Sequence, residues 1–179
     1  MGKHPLLPFT VTASLAFTLE TQNPMKLKEI LRAFLRELFE ALTGKEERYE
    51  ELRLRNLHLF SFPAELDIIL AISRRYFPPS AKYPVNPHAL ILAIREAEKG
   101  RKGFEFGVIA VKDTDLETQC AYACATVQKN FERFRESGEQ DFIAFLGKRY
   151  APVGAANDPH NLNSHWVSNV RWFYERFRG

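Results

Sequence analysis

The sequence lacks several features that would assign a function class at once. No stretch approaches the roughly 18 apolar residues of a membrane span. No face or run concentrates Lys and Arg, which are interleaved with Glu nearly everywhere. The net charge is only +3 and the pI is near 8.9, so the footprint of a nucleic-acid binder is missing. Ser14, Ser164 and Ser168 lack the Gly-x-Ser-x-Gly setting of a serine hydrolase, and no glycine loop is arranged to cradle phosphate. Cysteine is scarce: Cys120 and Cys124 are four apart in a helical pattern, which suits a disulfide poorly. They read as small buried hydrophobes. No His or Cys stands at zinc-ligand spacing beside them, and His160 and His165 sit five apart in poor metal geometry. No metal or cofactor is implied. Internal repeats and low-complexity tracts are also absent.

What is present suits one core of ordinary size. Apolar residues make up 45% of the 179 and charged residues 26%, which is a globular composition. Residues 1–22 are ambiguous. Lys3 and His4 precede an apolar run from Leu6 to Phe17 that ends near Ser14-Leu15-Ala16, spacing a signal peptidase accepts. Pro5, Pro8 and several threonines weaken that core. An ordered or disordered leader, or upstream coding sequence before a start at Met25, fits equally.

From Asn23-Pro24, a capping residue and a first-turn proline, Leu27, Ile30, Leu31, Phe34, Leu35, Leu38, Phe39 and Leu42 recur at helical spacing up to Gly44. Residues 23–56 are therefore expected to form an amphipathic helical extension, with a charged helical connector over Glu46–Arg55. The wide apolar face of Leu27–Leu42 invites a protein partner. Residues 57–179 are expected to form the main domain. Helices are expected over Pro63–Phe77, stopped by Pro78-Pro79, and from Asn86-Pro87 to about Lys99. Phe104–Val111 is expected to be a short extended insertion. Thr114-Asp115-Leu116-Glu117 is a capping-box pattern opening a helix to about Arg135. Shorter helices over Asp141–Arg149 and Asn163–Phe177 complete a mainly α pattern.

The second of these main-domain elements, the helix of Asn86-Pro87, carries the most informative residue. With Leu90 set at zero and about 100° per residue, Ala93, Ile94 and Ala97 define the apolar face. Glu96 falls on the opposite, polar side, at about 240°. Glu98, at about 80°, falls inside the apolar arc. Partial burial and the negative end of the helix dipole would both raise the pKa of its carboxyl. A carboxylic acid held protonated near neutral pH is what a glycosidase uses to protonate a leaving oxygen. The alternative is that the helix frays after Ala97 and Glu98 points into solvent.

Three motifs then fall in order: Glu98-Lys99-Gly100, Phe106-Gly107-Val108, and Arg149-Tyr150-Ala151-Pro152 with Asn157-Asp158-Pro159. They resemble the segments of bacterial N-acetylglucosaminidases and related lysozyme-like domains in which a helix ends in Glu-Ser-Gly, leads to Phe-Gly-Ile, and is followed by Tyr-Ala-Thr…Asp-Pro. The resemblance covers roughly residues 84–179. It implies a lysozyme-like helical domain that cleaves β-1,4 linkages of peptidoglycan, with Glu98 as general acid and Tyr150 lining the cleft. Asp113 is the best candidate for a second carboxylate. Phe106, Asn157, Asp158 and Trp166 are the expected substrate contacts, although Asn163 and Trp166 also suit a helix cap and a core. In this chain Lys99 replaces the usual small residue, and Arg101-Lys102 follow Gly100 where an aromatic is common. The alternative function is a non-catalytic glycan-binding or phage or cell-envelope assembly protein with the same fold. A glycan substrate implies an envelope, secreted or phage-associated location.

Overall fold

The computed structural model describes residues 35, 50–79 and 81–178. The chain divides into two units, Met1–Arg48 and Tyr49–Gly179. Of the first, only Leu35 is described, as helical; the leader, and the rest of the amphipathic run Leu27–Leu42, lie outside the described residues.

The second unit is mainly helical, and no strand occurs among its described residues. Residues 50–57 form α1. Helix α2 spans Pro63–Tyr76, with Pro63 in its first turn and Phe77 at its C-cap. Helix α3 spans Pro87–Glu98, and α4 runs over Leu116–Ser137. Helix α5 covers Phe142–Tyr150 and α6 covers Trp166–Arg178. Short 3-10 turns lie at Ile109–Val111 and Leu162–His165.

Local chemistry explains where these helices begin. The Asn86 side chain accepts from the backbone N–H of His88 at 3.1 Å and of Ala89 at 3.2 Å, and Pro87 supplies the preset first-turn φ. Asp115 caps α4 by accepting from Thr118 N at 2.7 Å. The cap is thus one residue later than the Thr114 box anticipated; the Thr114 hydroxyl instead donates to Val111 O at 2.7 Å. Asp141 caps α5 through Ala144 N at 3.1 Å. Before α6, Asp158 accepts from the backbones of Leu162 and Asn163 at 2.8 and 2.9 Å. Asn163, the anticipated cap, instead donates to Pro152 O at 3.0 Å. At the far end of α6, Arg55 and Asn56 of α1 donate to the terminal carbonyls of Phe177 and Arg178, which have no partner within the helix.

Helix α3 is the axis of the domain. It packs on α6 most extensively, and also on α2 and α4, so residues Ala89–Glu96 are buried on every side. The helical-wheel expectation for Glu96 is corrected here: it is fully buried, with Oε1 accepting from Ser61 N. A wheel assumes one wet face, and a helix ringed by neighbours has none. Arg95, 2% exposed, is buried for the same reason. Its guanidinium makes a two-point pair with Glu65 at 2.7 and 3.0 Å and lies 3.6 Å over the Phe62 ring. Its remaining amine reaches Glu105 O.

The expected extended insertion is also corrected. Phe104–Val111 turns back on itself through Phe104 N to Arg101 O, Gly107 N to Phe104 O and Val111 N to Val108 O. An extended segment buries its polar groups only against a partner strand, and none exists among the described residues. The fully buried Gln119 of α4 takes that place. Its amide donates to the carbonyls of Gly103, Val108 and Val111, and its oxygen accepts from Val108 N.

Candidate active site

The site is built at the point where α3 ends. Lys99 takes the left-handed conformation, φ 45°, which a glycine such as the neighbouring Gly100 adopts more readily. Gly100 instead lets the chain pass against Phe104: a Cβ there would come within 2.7 Å of the Phe104 carbonyl carbon. The returning loop then lays Phe106-Gly107 across the end of the helix. Gly107 has φ +67°, and a Cβ on it would fall within 2.8 Å of Glu98 Cδ. Only a glycine leaves room for the carboxyl.

Glu98 is half-buried. Its Oε1 accepts from the indole Nε1–H of Trp166 at 2.7 Å. The Trp166 ring stacks on Tyr150, centroids 5.1 Å apart and planes 24° off parallel. The Tyr150 hydroxyl donates to Phe106 O at 2.7 Å, holding the peptide that faces Glu98. Four separate segments therefore meet: the last residue of α3, the 106–107 turn, the last residue of α5 and the first of α6.

The electrostatics follow from burial. Desolvation pushes the Glu98 pKa up, and the indole hydrogen bond, which favours the carboxylate, offsets part of this. Tyr150 is held well above its ordinary 10, first by burial, then by the Glu98 charge, with the Cys124 and Cys120 thiols adding to it. A carboxyl whose pKa is raised by burial, beside a phenol held neutral well above its ordinary range, is suited to giving up one proton.

The remaining candidates are placed differently. Phe106 is fully buried, so its ring cannot meet a ligand; its carbonyl is what serves the site. Trp166, 6% exposed, belongs to the core and reaches the site through its N–H. Asp113 lies on the exposed loop with φ 64°, its carboxylate paired with Arg101 at 2.9 Å. Asp158 serves the 162–163 backbone, and Asn157 is exposed. Cys120 and Cys124 are buried free thiols. A groove of about 640 Å³ lies elsewhere, between Ile68, Ile72 and Tyr76 of α2 and Glu117, Thr118 and Ala121 of α4. Gly107 and Gln119 are the residues that sequence reasoning did not assign to the site. Gly107 was visible only as part of a motif, and Gln119 carried the faint signal of an amide on an apolar helical face.

Compared with family models, curated proteins and solved structures, the chain matches none. Among the described residues no helix is long and apolar enough to cross a membrane.

Proposed function

We propose that the domain is a glycoside hydrolase acting on β-1,4 linkages of peptidoglycan, with Glu98 as its general acid. One observation carries the reading: a partly buried glutamic acid, raised in pKa by its surroundings, lies where Phe106-Gly107, Tyr150 and Trp166 converge on the end of its helix. The order of those motifs, which resembles that of bacterial N-acetylglucosaminidases, supports the same assignment.

In the proposed reaction Glu98 gives its proton to the glycosidic oxygen as the bond from that oxygen to the anomeric carbon breaks. The Asp113 carboxylate is engaged by Arg101, so attack on the anomeric carbon falls to water or to the oxygen of the substrate acetamido group. An attacking water returns its proton to the Glu98 carboxylate, which restores the acid. Tyr150 keeps acceptor lone pairs on its hydroxyl while donating to Phe106 O. The same Asp113–Arg101 pairing favours a second reading, a non-catalytic glycan-binding or envelope assembly protein.

The test is release of soluble fragments from purified peptidoglycan by the wild type and by Glu98→Gln, with fragment ends identified by mass. Release that disappears in the variant supports the hydrolase and names the bond. Sedimentation of both proteins with the wall, without release, supports the binding protein. Equal release by both removes Glu98 from the mechanism.

A further inference from the structure

The two oxygens of the Glu98 carboxyl are not equivalent. Oε1 is the acceptor of the Trp166 indole N–H at 2.7 Å. In a neutral carboxylic acid the carbonyl-type oxygen is the better acceptor, and the hydroxyl oxygen carries the proton. The indole therefore leaves that proton to Oε2. Oε2 accepts no hydrogen bond within the described residues. Nor is it among the sealed, unpartnered polar atoms, whose carboxylate members are Glu96 Oε2 and Glu105 Oε2. It lies over Gly107, in the space a side chain would fill.

We infer that Trp166 is a positioning residue for proton donation: its N–H pins Oε1 and presents the proton on Oε2, above Gly107, to the arriving leaving oxygen. The recipient of the proton rests on the glycosidase reading; the pinning does not. Trp166 suits the task because it is itself fixed, nearly buried and stacked on Tyr150. A carboxyl on a free χ3 torsion would sample many directions, and misplacement of a reacting atom by about 1 Å can cost about a hundredfold in rate.

The pin also bears on the pH range of activity. Burial raises the Glu98 pKa and the indole bond lowers it. The titratable groups facing the pocket are Tyr150 of α5 and, beyond it, the Cys120 and Cys124 thiols of α4. Tyr150 and Cys120 stay neutral to well above pH 9, so they do not change charge where Glu98 titrates. Loss of the indole donor is expected to raise the Glu98 midpoint, and with it the basic limb of the activity profile, since the acid must be protonated to act.

The test compares the wild type with Trp166→Phe and with a benzothienylalanine at 166. The latter keeps the indole shape with sulfur in place of N–H, and is made in a Trp172→Phe background. Glu98 is followed by the carboxyl carbon resonance of labelled glutamate, assigned by its absence from Glu98→Gln. Turnover of wall fragments is followed against pH. Both variants are expected to show a higher Glu98 midpoint, a basic limb moved upward with it, and kcat lower by about tenfold to a hundredfold with KM little changed. In the wild type, the Trp166 indole proton resonance should move with the Glu98 titration, a readout that needs no variant to fold. An indole resonance indifferent to that titration, or a Glu98 midpoint unmoved or lowered in the benzothienyl protein, overturns the inference. A wild type that titrates as expected but releases no fragments sinks the glycosidase reading, while the titration alone decides the pin.

Discussion

Replacing Gly107 by alanine tests the site geometry without any knowledge of substrate. The new Cβ meets two penalties. At φ +67° a non-glycine residue carries about 1–2 kcal/mol of left-handed strain. The methyl also falls within 2.8 Å of Glu98 Cδ, so the carboxyl must swing away. That leaves the buried Trp166 donor unpaired, a loss of about 1–3 kcal/mol. Gly107→Ala is therefore expected to destabilise the domain by about 2–5 kcal/mol, a large share of the usual 5–15. Gly154→Ala is the control, because φ is +77° but nothing lies within 4 Å of its Cβ; it should cost the strain alone, about 1–2 kcal/mol. In a Glu98→Ala background the obstacle is gone, and Gly107→Ala should fall to the same figure, giving a coupling of about 1–3 kcal/mol. Urea denaturation of the four variants and the wild type measures all of this. If Gly107→Ala costs no more than Gly154→Ala, or costs the same with and without Glu98, then the carboxyl does not lie over Gly107 and the site description fails.

Two further outcomes follow from buried ionisable groups. His88, hydrogen-bonded to Ser73 at 2.7 Å, has its pKa lowered from 6.5 to about 4 by burial and by the Arg74 charge. The unfolded chain binds this proton first. The histidine's contribution is thus complete above pH 6.5 and lost as pH falls toward 4, by about 3 kcal/mol from 1.36 × (6.5 − 4). Stability measured against pH should fall more steeply for the wild type than for His88→Phe across that window; parallel curves would refute the assignment. Glu65→Ala, which strands the buried Arg95 guanidinium, should cost about 3–5 kcal/mol. Adding Arg95→Met should recover much of that loss in thermal or urea unfolding, and no recovery would show that the charge is not what matters there.

Much of the fold was legible because its signals are local. Asn86-Pro87, Pro63, Pro78-Pro79 and Asp141 mark helix ends through their own φ restrictions and side-chain oxygens, with no need of tertiary information. The direction of Glu98 relative to Leu90 follows from the 3.6-residue period, but its partial burial beside a fully buried Glu96 does not, because α3 has no wet face. What escaped depends on neighbours. The burial of Arg95 and Glu96 follows from α2, α4 and α6 surrounding α3, which no single-helix pattern contains. Phe104–Val111 has strand-like composition, yet its conformation is decided by Gln119, which lies on another element and satisfies two of its carbonyls and that of the preceding Gly103. Thr114 and Asp115 are both good caps, and the choice went to Asp115 because Val111 O lay within reach of the threonine. Tyr150 and Trp166 were suspected separately. That one stacks on the other, and that the second holds Glu98, is a property of the α5–α6 junction.

The enclosure of α3 bears on how the chain is made. This enclosed helix leaves the ribosome well before α6, the element that covers most of it. Until residues 166–178 follow, α2 and α4 can cover only part of a helix with no wet face, and the nascent chain holds an adhesive segment through the synthesis of about half the domain. The acid at its end is likewise unpartnered in that interval. Completion of the fold and assembly of the pocket around Glu98 are therefore a single late event, and a chain stalled before Trp166 is expected to be prone to aggregation.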